Sequence, residues 1–249
     1  MTLPPAIPAA TLILVRDRAG EPPELLMVER AATMAFAAGA LVFPGGRIDP
    51  ADIALGDTLG VEHGASIVAA IRETIEETAV PVALDPMPSP SLALELQREL
   101  LAEIPLAALL DRHAIKLRAD ALTLFTHWIP NLHASRRFDT RFFIAAAPPG
   151  EWRPTIGERE NSSAEWMSAA EALTRDADGR ASLIFPTRTT LRRLALHGSH
   201  EALLADANAH RADPISPWIE QIDGAPHLTI PADLGFPVVR EPLEGLRRG

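Results

Sequence analysis

Three glutamates, Glu73, Glu76 and Glu77, fall within little more than one helical turn, directly after Arg72. On a helix Glu73 and Glu77 are i,i+4 neighbours, so their carboxylates lie side by side. Arg72 and Glu76 share that spacing and can pair. Like charges at i,i+4 repel, and negative charge near a helix C-terminus opposes the macrodipole, each by a few tenths of a kcal/mol. A sequence that accepts both costs at one spot has a cation to place there. Ligands that offer only oxygen suit Mg²⁺ or Mn²⁺ rather than zinc. Upstream, Phe43-Pro44-Gly45-Gly46-Arg47 reads as a tight turn.

The elements around these residues follow from periodicity. Ile67, Val68, Ile71 and Ile75 recur at three- and four-residue spacing and predict a helix over residues 65–77. Residues 11–15 and 25–29 read as strands joined by a turn over 16–24, and 41–43 as a strand entering the glycine turn. Residues 30–39 are small and apolar. They are either packing filler or one wall of a substrate cleft, with Arg30 facing a phosphate. After Pro81 and the proline cluster at 86–90, leucine-rich helices are expected over 91–101 and 105–111, as packing or as a partner face. Strands follow at 122–129 and 136–145. The second carries Arg136, Arg137 and Arg141, which are either phosphate contacts or members of strand-edge ion pairs. Residues 157–160, with Glu158 and Glu160, form a polar loop before a short strand at 164–167. Ser168 and Glu171 have capping-box spacing, and Pro186 precedes a helix over 187–196. His197 and His200 read as a helix-end loop rather than a metal pair. Asp223-Gly224 is a hairpin turn between residues 218–222 and 227–230.

Composition narrows the classes. The chain has 249 residues, no cysteine, and a net charge of −10. The length suits one core with elaborations. Without cysteine there is no disulfide, thiolate metal site or cysteine nucleophile. The acidic balance disfavours a nucleic-acid surface. No stretch reads as a signal or membrane helix, so a cytoplasmic protein without membrane contact is expected. There is no Gly-x-x-x-x-Gly-Lys loop for a kinase and no nucleophile elbow.

At Gly46 and at Arg72-Glu73 with Glu76-Glu77 the chain resembles the Nudix hydrolase signature. That signature is Gly, five residues, Glu, seven residues, then Arg-Glu-aliphatic-x-Glu-Glu-x-Gly-aliphatic. The isolated Glu is missing: counting from Gly46 reaches Asp52, and counting back from Arg72 reaches Gly64. The interval is about a dozen residues too long, so residues 53–63 are expected to form an inserted surface loop that tolerates shortening. The second Gly is Ala79, where a left-handed cap would cost ~1 kcal/mol. The signature resemblance spans residues 43–80, with looser similarity over roughly 10–195. Ala32-Thr33-Met34-Ala35-Phe36 before Phe43-Pro44-Gly45-Gly46, the long interval, the helical insert and Arg137-Phe138-Asp139-Thr140-Arg141-Phe142-Phe143 together resemble the branch of the animal peroxisomal acyl-coenzyme A diphosphatase and its bacterial relatives. One position of the coenzyme A pattern, usually Arg, is Ala35.

The resemblance implies an α/β fold: an α/β/α sandwich on a mixed sheet, over residues 1–198, with a helical insert at about 88–120. Residues 199–249 are then a C-terminal extension. It implies a Mg²⁺- or Mn²⁺-dependent hydrolase of a nucleoside diphosphate linked to a moiety, with a coenzyme A ester ahead of dinucleotides and triphosphates. Gly46, Glu73, Glu76 and Glu77 are the implied metal ligands. Arg72 braces Glu76 and the glycine loop, and the general base is Glu76, Glu158 or Glu160. Arg30, Gly45, Gly46, Arg47, Arg137 and Arg141 are the candidate substrate contacts. The rival is a non-catalytic module of the same fold that binds a nucleotide or a partner protein. A homodimer is expected from the apolar tail residues Trp218, Ile219, Leu228, Ile230, Leu234 and Phe236.

Overall fold

The computed structural model describes residues 5–31, 38–130, 137–157 and 161–244. Strand β1 (Ile7–Arg18) is the spine, with Leu12, Ile13 and Leu14 wholly buried. It turns at Gly20 into β2 (Glu21–Arg30), and both strands are longer than their apolar runs suggest. The extra ladder is held by charge: Arg16 pairs with Glu24 at 2.7 Å and Arg18 with Glu24 at 2.8 Å. Cross-strand ion pairs let polar residues continue a strand where hydrophobic alternation has stopped.

Next come β3 (Leu41–Val42), β4 (Gly45–Arg47), helix α1 (Pro50–Thr58) and the signature helix α2 (Gly64–Thr78). The insert follows: β5 (Leu84–Asp85), α3 (Pro90–Leu101), α4 (Leu106–Arg112) and β6 (Lys116–Leu117). Strands β5 and β6 pair antiparallel and close it at its base. A 3₁₀ turn (Ala119–Ala121) leads to β7 (Thr123–Trp128), β8 (Phe138–Ala146), β9 (Asn161–Ser168), α5 (Ala169–Ala177) and α6 (Phe185–Leu194). The chain then adds α7 (His200–Ala209), β10 (Pro214–Ile215), and a three-stranded sheet of β11 (Trp218–Ile222), β12 (Ala225–Thr229) and β13 (Arg240–Pro242).

The main sheet runs β10-β7-β8-β1-β2-β3, with β4 also on β1 and β9 also on β2. β1 and β8 are parallel while β1, β2 and β9 are antiparallel neighbours, so the sheet is mixed. One face packs Leu12 and Leu14 against Val68, Ile71 and Ile75 of α2 and Leu96 and Leu109 of the insert. The other packs Ile13, Phe125 and Ile144 against Ala172, Leu191 and Leu203 of α5, α6 and α7. This is the expected α/β/α sandwich.

Two expectations are corrected. Residues 53–63 are not a loop, because most of them belong to α1. That helix crosses α2 at glycines: a Cβ at Gly56 would stand 2.3 Å from Ala65 N, and one at Gly64 2.4 Å from Gly56 O. The only buried residues of α1 are Asp52 and Gly56, so its inner face has no apolar stripe to read. The tail does not present the expected apolar patch. Leu228, Ile230, Leu234 and Phe236 are at most 6% exposed, and Phe236 packs on Trp128 with ring centroids 5.7 Å apart. Only Trp218 and Ile219 of that set remain exposed.

Helix α2 ends on Ala79 in the left-handed region, at φ 54°. Ala79 is 5% exposed, so Ala79→Gly loses a buried methyl worth ~0.8 kcal/mol while relieving ~1 kcal/mol of backbone cost. Its net effect on stability is expected near zero. Ala114 is also left-handed, at φ 52°, but exposed, and Ala114→Gly should stabilise by ~0.5–1 kcal/mol in denaturant unfolding.

Candidate active site

The site is organised around one guanidinium. Arg72 donates from Nε to Asp52 Oδ1 at 2.9 Å and from Nη2 to Asp52 Oδ2 at 2.8 Å. Its Nη1 donates to Glu73 Oε1 at 2.9 Å and Glu76 Oε1 at 3.2 Å, and its Nη2 also donates to the Arg47 carbonyl at 2.9 Å. All five guanidinium N–H donors are therefore used. Burial alone would favour a neutral Arg72. The hydrogen bond to Asp52 and the charges of Glu73, Asp52 and Glu76 outweigh it and raise the pKa.

Asp52 lies at the place counted forward from Gly46, and it is 1% exposed. Its Oδ2 also accepts from the Asp49 amide at 2.8 Å, closing a capping box at the start of α1. The acid that the signature lacks as Glu is thus present as Asp. Only the spacing after it differs, and α1 fills that interval. The six-residue step from Gly46 to an acid was the available signal.

The glycine turn meets the helix at close range. A Cβ at Gly46 would stand 2.3 Å from Glu73 Oε1, and one at Gly45 2.5 Å from the Ala10 carbonyl. The backbone blocks any side chain at Gly45, and one at Gly46 would displace the Glu73 carboxylate. The Gly45 amide donates to Glu77 Oε2 at 3.0 Å. Burial pushes the Glu73 carboxyl up to about 8; Arg72 opposes this, while Glu77 and Glu76 reinforce it. Glu76 is raised for the same first reason, burial, against the pull of Arg72.

These residues fit a hard divalent cation. Three carboxylates share one arginine, the donor set is all oxygen, and burial with like charge disfavours the ionised acid until a cation offsets it. Glu73 and Glu77, with the Gly46 backbone against them, are the residues that would hold it. Elsewhere, Glu95, Glu99 and His113 of the insert bring three potential ligand atoms within 4.8 Å of one another. Arg112 already pairs with Glu99 there at 2.5 Å, and none of the three lines the cleft.

A pH dependence follows. An acid whose folded pKa is raised from 4.5 to about 8 binds more protons folded than unfolded between those values. Its contribution to stability therefore falls as pH rises through that window. Metal-free protein should lose stability from pH 5 to pH 8, and Glu73→Gln should flatten the loss. Added Mg²⁺ should raise the melting temperature more at pH 8 than at pH 6. A Mg²⁺ effect independent of pH would contradict this.

The glutamates open onto a cleft of about 1170 Å³. Arg30, Gly45, Gly46, Arg47, Arg72, Glu73, Glu76 and Glu77 all line it. Glu158 and Glu160 lie outside the described residues, as do residues 32–37 of the apolar stretch. The structure does not bring two of the candidate substrate contacts, Arg137 and Arg141, to this cleft. Phe138, Thr140 and Phe142 of β8 face the cleft, so strand alternation turns their neighbours to the other side of the sheet. There Asp139 meets His127 at 2.5 Å and Arg141 at 3.7 Å, and Arg141 lines a separate recess with His63. Arg137 does not line the cleft, and its carbonyl accepts from the Ile7 amide at 2.7 Å.

Several cleft residues were not foreseen. Leu101, Ile104 and Pro105 bring the insert to the cleft wall. Gln97, 4% exposed, donates from Nε2 to the carbonyls of Glu76 at 3.0 Å and Thr155 at 2.6 Å. It ties the insert both to the signature helix and to the strand-free segment before Gly157. On the opposite wall stand Trp128 and Asn161. No local pattern marks these positions, since each depends on which elements pack together.

No family model matches the sequence, and neither does any curated protein. Solved structures do. A Nudix hydrolase from Alicyclobacillus acidocaldarius is similar with a TM-score of 0.70 at 28% identity, over 82% of this chain and 97% of that one. The Nudix domain of NrtR from Shewanella oneidensis, solved with ADP-ribose, has a TM-score of 0.45 at 15% identity, over 76% of this chain and 85% of its own. An Ap4A hydrolase from C. elegans has a TM-score of 0.41 at 18% identity, over 75% and 93%. The fold is that of the Nudix hydrolases. Together with the site it defines a Nudix-type pyrophosphohydrolase, a hydrolase acting on acid anhydrides.

Proposed function

We propose that the protein hydrolyses the diphosphate of a nucleoside diphosphate linked to a second moiety, with Mg²⁺ or Mn²⁺ and with a coenzyme A ester as the preferred substrate. The observation that carries this reading is Arg72, saturated by Asp52, Glu73, Glu76 and the Arg47 carbonyl, which presents the glutamates to the cleft. A bound divalent ion supplies charge neutralisation for the diphosphate and lowers the pKa of an attacking water. The chain supplies the rest. Gly45 and Gly46 let the diphosphate approach the backbone without a side chain between. Glu76, held by Arg72 at Oε1, would take the proton of that water, and its raised pKa supports the task. Glu158 and Glu160 remain the other two assignments for the base. Arg30 and Arg47 offer positive charge along the cleft.

Two features support a substrate with an apolar arm. Leu101, Ile104 and Pro105 of the insert form an aliphatic wall near Gly157, where a Cβ would meet Leu101 Cδ1 at 2.8 Å and the Glu76 carbonyl at 3.3 Å. The resemblance to the acyl-coenzyme A diphosphatase branch points the same way. The net charge of −10 argues against a polymeric nucleic acid, which needs an extended basic track. Among the described residues no helix is long and apolar enough to cross a membrane.

The test is kcat/KM on acetyl-coenzyme A, NADH, ADP-ribose and nucleoside triphosphates, with and without Mg²⁺. The coenzyme A ester is expected to lead. If ADP-ribose or NADH wins by more than about tenfold, ~1.4 kcal/mol of transition-state preference, the coenzyme A assignment is wrong. No turnover of any of them would leave the non-catalytic module.

A further inference from the structure

The helical insert holds a set of metal-ligand side chains that the cleft does not use. Glu95 and Glu99 are i,i+4 neighbours on α3, so their carboxylates share one face and repel. His113, the residue that ends α4, comes back to them. Glu95, Glu99 and His113 each bring one potential ligand atom within 4.8 Å of the other two. Glu95 is exposed, while Glu99 and His113 are half-buried. A second observation is independent of that grouping. Glu99 Oε2 and His113 Nε2 are both shielded from solvent, and neither has a hydrogen-bond partner. Arg112 engages Glu99 through Oε1, at 2.5 Å, and so leaves Oε2 open. Shielded polar atoms are nearly always satisfied, and two unsatisfied ones in a cluster of carboxylates and imidazole call for a cation. The same cation offsets the repulsion between Glu95 and Glu99.

We propose that Glu95, Glu99 and His113 form a second metal site, for a divalent ion of the zinc class, separate from the glutamates of α2. The donors decide the class. An imidazole nitrogen with carboxylate oxygens suits Zn²⁺, whereas Mg²⁺ prefers an all-oxygen shell and keeps its waters. Three protein ligands leave the fourth position to water, on the exposed side where Glu95 stands. The ion closes a loop of chain from Glu99 to His113. Every insert residue that lines the cleft, Leu100, Leu101, Glu103, Ile104, Pro105 and Leu106, lies inside that loop. Zinc therefore steadies this wall of the cleft, because an ion that binds only the folded hairpin stabilises it. The site does not depend on the hydrolase reading.

The probe is Zn²⁺, titrated calorimetrically into the full chain with excess Mg²⁺ present to compete for the glutamates of α2. The unaltered protein is expected to bind one Zn²⁺ with a Kd of about 1 μM or lower. His113→Ala and Glu95→Ala should each weaken that binding at least about tenfold, ~1.4 kcal/mol. Glu95 is exposed on a helix, so Glu95→Ala folds even if His113→Ala does not. Zn²⁺ should also raise the melting temperature of the unaltered protein, by more than it raises that of Glu95→Ala. Glu77→Gln should hold the same ion as tightly as the unaltered protein. No Zn²⁺ binding in excess Mg²⁺ overturns the site. So does a loss of less than about tenfold in folded Glu95→Ala. Zn²⁺ binding that disappears in Glu77→Gln would put the ion on α2 and overturn it as well.

Discussion

Glu77→Gln is expected to keep the fold and to lower Mg²⁺-dependent hydrolysis by at least ~100-fold, the loss of several kcal/mol of charge stabilisation. The fold should survive because the carboxamide oxygen of Gln can still accept from the Gly45 amide, the bond that Glu77 Oε2 accepts now. What is lost is negative charge at the acid that accepts from the Gly45 amide. Glu73→Gln should cost as much activity while easing the burial of a carboxyl already pushed to about 8. The assay is initial rate against Mg²⁺ concentration, with far-ultraviolet circular dichroism to check folding. Full activity in Glu77→Gln would sink the metal assignment.

Arg72→Met should have the largest effect on stability. It leaves Asp52, 1% exposed, held by the Asp49 amide, and it frees Glu73 and Glu76 to repel. Removing one partner of a buried ion pair costs ~3–5 kcal/mol, far above the ~0–1 kcal/mol of a surface pair. Combining Arg72→Met with Asp52→Leu should recover much of that loss, because replacing both partners of a buried pair with apolar groups is often close to neutral. Recovery should be incomplete, since Asp52 also caps α1. Guanidinium unfolding of the single and double variants measures this. A single-variant loss under about 1 kcal/mol would show that the network does not hold the helix in place.

The signature helix was legible because its information is local. Ile67, Val68, Ile71 and Ile75 recur at helical spacing and are all buried, and the Arg72–Glu76 pair is an i,i+4 contact that needs no tertiary structure. Helices α3 and α4 and the Asp223-Gly224 hairpin were legible for the same reason. Helix α1 was not. Its buried face is a charged side chain and a glycine, so hydrophobic periodicity is silent, and what buries that face is Arg72 across a helix crossing. Which side of the sheet Arg137 and Arg141 take was not legible, because a strand's sequence shows alternation without saying which face meets the cleft. That is set by β8 lying parallel to β1, with Phe142 beside Thr11.

By itself the sequence determined the acidic helix, the tight glycine turn before it, and the class of cation they suit, because spacing along one helix and glycine in a turn are local facts. Tertiary structure decided that Asp52 of α1 pairs with Arg72 of α2, that Leu228, Ile230, Leu234 and Phe236 of the tail fill this chain's own core, and that Asn161, Trp128 and Leu101 line one cleft. Each of these is a contact between residues far apart in the chain, and its energy depends on burial and on partners that only packing supplies.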